Sequence, residues 1–309
     1  MREDVLDKLK NITDPANVRI CEDMSEHTTF RAGGRADVFV TPESIEEATE
    51  IVRLLLTHEE EYTVIGNGSN ILVPDEGYNG CIICMGRGED DITVNGNTIK
   101  AGAGAMLSKV AKIAYDNCLT GLEFASGIPG SVGGAIVMNA GAYGGEIKDV
   151  VTSVTLYDAT AKEIVTKTAE EMKFGYRTSI IKFYPYVVLE AEFSLKEGDR
   201  AAIKETMDDL AARRRDKQPL EYPSAGSTFK RPEGYFAGKL IEDAGLKGVA
   251  VGGAQVSEKH SGFVINKGGA TATDILELIR KIREKVYEDS GVMLETEVVI
   301  LGSKKDGRS

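Results

Sequence analysis

The hydrophobic positions of the chain follow a helical period in several segments. Ser44 and Glu47 form a capping-box pattern at the start of the first segment, which predicts that a helix begins there. Gly291 follows the last segment and predicts the end of that helix. The helical stripes are Ile45, Ala48, Val52 and Leu55; Leu107, Val110, Ala111 and Ala114; residues 201–215; and Ile275, Leu278, Ile279, Ile282 and Val286.

Shorter apolar runs between these stripes predict β-strands. The predicted strands are residues 62–65, 81–85, 151–157, 186–195 and 292–301. The last of them alternates, so that Leu294, Thr296, Val298 and Ile300 share one face while Met293, Glu295, Glu297 and Val299 share the other. Two carboxylates therefore point the same way, and the alternation alone does not say which of them, if either, is functional.

The composition is that of a protein with sizeable cores, since 42% of the 309 residues are hydrophobic and 28% are charged. Lys and Arg total 37 against 49 Asp and Glu, which gives a formal net charge of -12. This charge disfavours nonspecific binding to nucleic acid or to an anionic membrane, although it allows a local basic pocket. No apolar stretch approaches the ~18 residues that span a bilayer, and no protein partner is evident from the sequence.

The four cysteines include one C-x-x-C pair, Cys81 and Cys84, which in principle is a redox pair or half of a zinc site. The pair lies in an apolar run with no second Cys or His pair, which is typical of small buried residues in a strand. We therefore expect no metal site. Residues 1–4 lack a signal-peptide core, and unpaired thiols without an export signal predict a cytoplasmic protein.

Glycine-rich loops follow the predicted strands. Residues 64–73 contain Gly-Asn-Gly-Ser-Asn between two apolar runs, and such a turn either forms an anion-binding nest or is simply a tight hairpin. It is neither a P-loop nor a G-x-G-x-x-G motif. Residues 121–135 again offer bare backbone and short hydroxyls, and two nests suit a dinucleotide. Residues 139–144 continue this surface, with Tyr143 placed either to contact a substrate or to pack on the sheet.

The order of these motifs resembles the MurB family of UDP-N-acetylenolpyruvoylglucosamine reductases. The motifs are residues 28–34 (Thr-Thr-Phe-Arg-Ala-Gly-Gly), the 65–73 loop, and residues 127–134 with 139–144, and the resemblance extends from about Arg19 to Gly302. It implies non-covalently bound FAD, NADPH as co-substrate and UDP-N-acetylglucosamine enolpyruvate as substrate. The residues that it assigns to FAD are Ile65, Gly66, Asn67, Gly68, Ser69, Asn70, Gly127, Ile128, Pro129, Gly130, Ser131, Gly133 and Gly134.

Arg177, Ser227 and Glu297 are the catalytic residues that the resemblance implies. Taken alone, they read as a surface cation, a turn hydroxyl and a solvated strand residue. The family carries its catalytic residues at these motif positions, which also selects Glu297 over Glu295. Arg177 is expected to stabilise charge developing beside the substrate carboxylate, Ser227 to donate a proton, and Glu297 to polarise the site. The three are expected to meet across a domain interface.

The remaining predictions concern the residues that bind the substrate. Lys217, Lys230 and Arg231 flank Ser227 and are predicted to supply positive charge for the UDP pyrophosphate, although a loop lysine is often merely solvated. His260 stands where the family has a polar substrate-side residue, although a lone histidine is more often structural. The chain resembles the shorter, second type of the family, which lacks an inserted tyrosine that closes over substrate. Tyr143 and Tyr176 are the nearest replacements.

The predicted fold class is α+β, with two FAD-binding subdomains of the p-cresol-methylhydroxylase and vanillyl-alcohol-oxidase (PCMH/VAO) type plus a C-terminal α+β substrate-binding domain. The predicted domains are residues 1–85, 86–207 joined by a returning strand 293–303, and 208–292. One rival is an oxidase of the same flavin superfamily, which the lack of a His or Cys placed for covalent flavin attachment disfavours. Another is a nucleotide-binding module without catalysis, which would not need Ser227.

Overall fold

The computed structural model describes residues 1–86 and 90–302, which divide into two compact units. Unit 1 contains Met1–Ile20, Val38–Asn67 and Gly80–Arg214, and unit 2 contains Cys21–Asp37, Gly68–Asn79 and the chain from Arg215 onwards. The division into three domains stays a prediction, and position 303 of the returning strand lies outside the described residues.

The helices and strands of the described residues follow in chain order. The helices are α1 (Glu3–Ile12), α2 (Ile45–Thr57), α3 (Leu107–Asp116), α4 (Val132–Met138), α5 (Arg200–Lys217), α6 (Ala237–Asp243) and α7 (Ala272–Ser290). The strands are β1 (Val18–Asp23), β2 (Arg35–Val40), β3 (Tyr62–Ile65), β4 (Ile71–Leu72), β5 (Tyr78–Cys84), β6 (Ile92–Asn95), β7 (Thr98–Gly102), β8 (Leu119–Thr120), β9 (Gly141–Ala142), β10 (Gly145–Glu146), β11 (Val151–Asp158), β12 (Glu163–Thr168), β13 (Tyr186–Ser194), β14 (Lys196–Glu197), β15 (Ala250–Val251), β16 (Ala254–Val256), β17 (Val264–Asn266) and β18 (Val299–Ile300).

Unit 1 is built around an antiparallel sheet with the strand order β12-β11-β13-β7-β6. α3 packs against β7, and α4 packs against β7 and β13. Val154 and Leu156 of β11 and Ala191 and Phe193 of β13 are buried in one hydrophobic cluster, because alternate residues of a strand face the same side. The sheet and its helices therefore form the core on which the loops of the site rest.

The Cys81–Cys84 pair lies on β5, in the apolar run that the sequence predicts to be buried. β5 pairs in parallel with β3, and Cys81, Ile82 and Ile83 are fully buried. Burial raises the pKa of Cys81 to about 12 and that of Cys84 to about 11, so both thiols stay protonated near neutral pH. Since the thiolate is the reactive form, these cysteines contribute packing rather than chemistry.

Unit 2 has its own core, in which α7 packs against the antiparallel sheet β15-β16-β17. The predicted stripe on α7 is confirmed, because Ile275, Leu278, Ile282 and Val286 are all fully buried. The helix begins with a capping box formed by Thr271 and Asp274. It ends at Gly291, whose φ of 72° is a left-handed conformation that glycine adopts without strain.

The prediction of one continuous strand over residues 292–301 is wrong. Only β18 is a strand there, paired in parallel with β4, and residues 295–297 instead form hydrogen bonds with residues 228–230. The segment changes partner midway, so neither partner supports a long ladder. The alternation of faces nevertheless holds, since Leu294 and Val298 are buried while Glu295 and Val299 are exposed.

Within residues 1–86 and 90–302, no helix has the length and apolar character needed to cross a membrane. In the same residues, no group of three or more His, Cys, Asp or Glu is arranged to hold a metal ion.

Candidate active site

The two glycine loops meet side by side in unit 1. A Cβ atom at Gly66 would collide with the hydroxyl of Ser131, so any other residue there would force Ser131 to move. The Asn67 side-chain amide donates a hydrogen bond to the Pro129 carbonyl, with an N···O distance of 2.6 Å. The Ser131 hydroxyl accepts the Gly134 N–H at 3.3 Å and so caps α4. Bare backbone from both predicted FAD loops is thus held in one place.

The rest of the first loop, from Gly68 onwards, belongs to unit 2. Gly68 has a φ of 59°, and a Cβ atom on it would collide with the His27 carbonyl oxygen. Its own carbonyl accepts the Thr29 N–H at 3.2 Å. The Asn70 side-chain amide donates to the Glu297 carbonyl at 3.0 Å. Within unit 2, the loop therefore fixes the backbone of one predicted catalytic residue.

Arg214, near the end of α5, is a cation that lies against the second glycine loop. A Cβ atom on Gly127 would stand 2.9 Å from its Nη1 and 3.2 Å from its Cδ. Burial lowers the pKa of Arg214, against an opposing influence from Tyr143, yet a guanidinium stays charged at any physiological pH. A half-buried positive charge beside bare loop backbone is suited to binding a phosphate.

Arg177 lies beside the 139–144 motif in unit 1. Its Nη2 donates to the Gly141 carbonyl at 3.2 Å, and its guanidinium carbon is 5.3 Å from the centroid of the Tyr176 ring. The backbone at Arg177 is left-handed, with a φ of 53°, and the Lys182 ammonium donates to the Arg177 carbonyl at 2.7 Å. The 139–144 motif and the segment that carries Arg177, residues 174–179, are therefore adjacent.

Asn139, the first residue of the 139–144 motif, connects this motif to the segment that carries Arg177. It is fully buried, and its amide nitrogen donates to Glu146 Oε2 and to the Gly175 carbonyl, both at 3.0 Å. Its amide oxygen accepts the Lys148 N–H at 3.0 Å. The pKa of Glu146 is lowered, first by its hydrogen bond with Lys148 and then by Asn139 and the charge of Arg177. Glu146 is thus an anion that complements Arg177.

Ser227 and Glu297 lie on neighbouring backbone segments of unit 2. Ser227 is exposed, and the next residue, Thr228, is fully buried. The Thr228 carbonyl accepts the Glu297 N–H at 2.9 Å, and Phe229 forms a β-bridge with Thr296. Sequence motifs 70 residues apart are thereby brought into direct pairing. Arg177 belongs to unit 1, so the convergence of all three catalytic residues stays a prediction.

Glu295, the other carboxylate on the Glu297 face, has a different environment. Its side chain is 71% exposed and forms a salt bridge with Lys230, with an N···O distance of 2.9 Å. The Lys230 hydrogen bond and charge lower the pKa of Glu295, so it is fixed as an anion. Glu297 is half-buried. Of the two carboxylates, Glu297 is therefore the one that is more shielded from solvent.

The predicted substrate cations differ in their surroundings. Lys217 is exposed at the end of α5, and Lys230 is engaged with Glu295. Arg231 stacks on Phe236, with 4.0 Å between the guanidinium carbon and the ring centroid, and its Nε donates to the Tyr235 carbonyl at 3.3 Å.

The two other predicted substrate-binding residues are His260 and Tyr143. His260 is half-buried on a turn that is hydrogen-bonded to Thr228. Tyr143 is 46% exposed and has a left-handed φ of 55°.

Comparisons with known proteins agree along the chain. A model described as "UDP-N-acetylenolpyruvoylglucosamine reductase, C-terminal domain" matches residues 218–301, and one described as "FAD binding domain" matches residues 36–167. The UDP-N-acetylenolpyruvoylglucosamine reductase of Clostridium perfringens (strain SM101 / Type A) is 52% identical over 286 residues, 93% of each chain. That of Clostridium novyi (strain NT) is 51% identical over 98% of each chain. The chain belongs to the MurB family.

Solved structures agree with this membership. MurB from Thermus caldophilus has a TM-score of 0.80 and 35% identity, covering 92% of this chain and 99% of that one. Wild-type Phl p 4.0202, a glucose dehydrogenase, has a TM-score of 0.52 and 16% identity over 64% of this chain and 45% of that one, which shows the fold alone. The predicted fold class is therefore confirmed, and the protein is an oxidoreductase of the MurB family that uses FAD.

The unit 1 residues fit FAD, and one of them was not predicted from the sequence. The loops of Gly66 and Gly127 offer backbone without Cβ atoms, which suits the close approach of a pyrophosphate, and Arg214 adds a positive charge. In the sequence, Arg214 is one of three consecutive arginines, residues 213–215, at the end of a predicted helix, where cations suit the helix C-terminus. Within that run, Arg213 pairs with Asp209 at 2.8 Å, whereas Arg214 lies against Gly127. This difference between the two neighbouring arginines is visible only in the structure. Asn139 carries no separate signal in the sequence, where it begins the 139–144 motif.

Proposed function

We propose that this MurB-family protein reduces UDP-N-acetylglucosamine enolpyruvate to UDP-N-acetylmuramate, with NADPH as the reductant, in peptidoglycan precursor synthesis. FAD, when bound, would supply the hydride chemistry that connects NADPH with the methylene carbon of the enolpyruvyl group. The reaction is proposed to take place in the cytoplasm, where nucleotide sugars and NADPH are made. No protein partner is needed for this chemistry.

Ser227 is proposed to donate the proton that completes the reduction. Hydride addition leaves negative charge on the carbon next to the substrate carboxylate, and that carbon then takes a proton. A serine hydroxyl is a weak acid, so it can protonate only a strongly basic carbanion or enolate. The observation that supports the proposal is the pairing of the Thr228 carbonyl with the Glu297 N–H, because it brings the backbone of a carboxylic residue beside the segment that carries Ser227.

Arg177 and Glu297 are proposed to support this proton transfer. The Arg177 guanidinium has the fork geometry that suits a carboxylate, and it would stabilise the charge that develops beside it. Its left-handed backbone is the kind of strained conformation that concentrates at active sites. Glu297 would polarise the Ser227 hydroxyl. The UDP pyrophosphate is proposed to lie near Lys217 and Arg231, while Lys230, held by Glu295, contributes less.

Replacing Ser227 with alanine tests the assignment. The purified Ser227→Ala protein is expected to stay yellow and to let NADPH bleach its flavin, because neither step needs the hydroxyl. Formation of UDP-N-acetylmuramate is expected to fall by at least ~10²-fold, the usual contribution of a positioned general acid. Ser224→Ala, three residues earlier in the same loop, is the matched control and should keep its turnover.

Unchanged product formation by Ser227→Ala would remove Ser227 from the mechanism while leaving the reductase activity in place. The rival nucleotide-binding module predicts that neither variant nor the unmutated protein forms product. The rival alcohol or sugar oxidase predicts that the flavin is bleached by an alcohol substrate without NADPH.

A further inference from the structure

His260 sits in unit 2 on a tight turn that its own ring helps to close. The ring Nδ1 accepts the Gly262 N–H at 3.1 Å, and the His260 carbonyl accepts the Phe263 N–H at 3.0 Å. The Ser257 hydroxyl accepts the His260 N–H at 3.2 Å. The ring also packs edge-on to Phe263, with 5.0 Å between centroids. The imidazole is thus held by backbone and by packing, and its Nδ1 serves as an acceptor.

A chain of hydrogen bonds leads from this ring to the predicted proton donor. Gly262 donates its N–H to His260, and its carbonyl accepts the Thr228 N–H at 2.9 Å. The Val264 N–H donates to the Thr228 hydroxyl at 2.9 Å, and the Thr228 carbonyl accepts the Glu297 N–H. Thr228 is therefore fixed from both sides, by the turn of His260 and by the segment of Glu297. Ser227 immediately precedes it.

We propose that His260 is a positioning residue, whose neutral ring fixes Gly262 and, through Thr228, the placement of Ser227 and Glu297. Only a neutral imidazole with its hydrogen on Nε2 can accept the Gly262 N–H. A protonated ring would turn a second N–H towards the Gly262 N–H, and the bond would be lost. This role differs from the direct substrate contact that the sequence suggested, and it rests on the proposed function of Ser227.

The surroundings of His260 favour the neutral ring. Burial is the largest influence on the pKa of His260 and lowers it, and the charges of Lys247 and Lys217 lower it further. A hydrogen bond with its own backbone and the charge of Glu242 oppose them, but the pKa stays below its usual value. These charged groups lie on α5, on α6 and on the segment after α6. The neutral form therefore predominates at neutral pH, and the Gly262 bond is lost only as pH falls through the lowered pKa. Proton transfer by Ser227 should weaken over the same range.

Two substitutions distinguish the role of His260 as a hydrogen-bond acceptor from its contribution to packing. His260→Ala removes the acceptor, whereas His260→Asn keeps one, because an asparagine side-chain oxygen can accept the N–H two residues ahead and does not titrate. His58→Asn, at a histidine in unit 1, is the matched control. Rapid mixing on the FAD-loaded proteins measures flavin bleaching by NADPH and re-oxidation by the enolpyruvyl substrate, each over a series of pH values.

His260→Ala is expected to slow re-oxidation by up to ~10²-fold, the cost of misplacing a catalytic group by about an ångström. Bleaching by NADPH should change much less, and KM for the enolpyruvyl substrate should stay near its original value. His260→Asn should restore most of the rate. The re-oxidation rate of the unmutated protein and of His58→Asn should fall at low pH, which is the acid limb of the profile. His260→Asn should lack this acid limb.

Three results would overturn the proposal. A raised KM with unchanged kcat in His260→Ala would make His260 a substrate ligand. Equal loss of rate in His260→Asn and His260→Ala, or an acid limb that persists in His260→Asn, would show that the Nδ1 acceptor does not matter. Nitrogen NMR of labelled His260 tests the geometry without any turnover, because a hydrogen found on Nδ1 contradicts it even where Ser227→Ala has confirmed the proton donor.

Discussion

At the residue scale, several non-glycine residues of unit 1 share an unusual backbone. Asn139, Tyr143 and Arg177 all have left-handed φ values, between 42° and 55°, and they surround the same hydrogen-bonded loops. Each such residue costs of order 1–3 kcal/mol unless its surroundings fix it. Buried Asn139 supplies that fixing with bonds to Glu146, Gly175 and Lys148. Three left-handed residues of unit 1 therefore lie where Arg177 is held.

Arg214 gives the residue-scale prediction. Arg214→Gln removes the charge beside Gly127, so FAD should bind more weakly by about 1.5–3 kcal/mol, the contribution of a hydrogen bond to a charged group. Titration of the apoprotein with FAD, followed by flavin fluorescence, measures this change. Arg213→Gln, which loses only a surface pair with Asp209, should bind FAD normally. Equal FAD affinity in both variants would exclude Arg214 from the cofactor site.

At the element scale, α7 anchors unit 2 and begins with more than its own cap. Besides the capping box of Thr271 and Asp274, the Asp75 carboxylate accepts the Ala272 N–H at 2.8 Å and the Thr273 N–H at 2.7 Å. These are N–H groups that a helix leaves without intrahelical partners. The short segment containing Asp75, between β4 and β5, is thereby tied to the longest helix of unit 2.

Asp75→Ala is predicted to destabilise unit 2 by about 1 kcal/mol, the usual value of an N-terminal cap. Burial alone would raise the pKa of Asp75, but the hydrogen bonds from Thr273 and Ala272 outweigh burial and lower it. The stabilisation by Asp75 is therefore fully present above the pKa that Asp75 has in the unfolded chain. It disappears as pH falls through the lower pKa that Asp75 has in the folded protein. Urea unfolding at neutral and acidic pH measures both effects, with Glu76→Ala as the control. If the difference in unfolding free energy between Asp75→Ala and the unmutated protein grew on acidification, this would contradict the capping role.

The elements themselves were largely predictable, whereas their partners were not. Ile275 to Val286 identified α7 and Gly291 its end, because helical spacing and left-handed glycine are local properties. The segment over 292–301 was wrongly predicted as one strand, since its change of partner from residues 228–230 to β4 depends on distant parts of the chain. For the same reason, the sequence did not separate Arg214 from Arg213, nor did it detect the bond between His260 and Gly262.

At the scale of the whole molecule, each of the two units has a hydrophobic core that supports its own set of predicted functional residues. The core of unit 1 supports the paired glycine loops, Arg214 and Arg177, and the core of unit 2 supports Ser227, Glu297 and His260. With a net charge of -12, the protein as a whole repels an anionic substrate, so binding depends on a few local cations. Of these cations, resemblance to the MurB family implied Arg177, the sequence around Ser227 suggested Lys217, Lys230 and Arg231, and the structure added Arg214.

The central claim is that the protein reduces the enolpyruvyl nucleotide sugar, and turnover by the unmutated, FAD-loaded protein tests it most directly. Purified protein is mixed with NADPH and UDP-N-acetylglucosamine enolpyruvate, and both NADPH oxidation and product are followed. We predict that UDP-N-acetylmuramate forms in equal amount to the NADPH consumed. A yellow, folded protein that forms no UDP-N-acetylmuramate, whether or not it oxidises NADPH, would contradict the account.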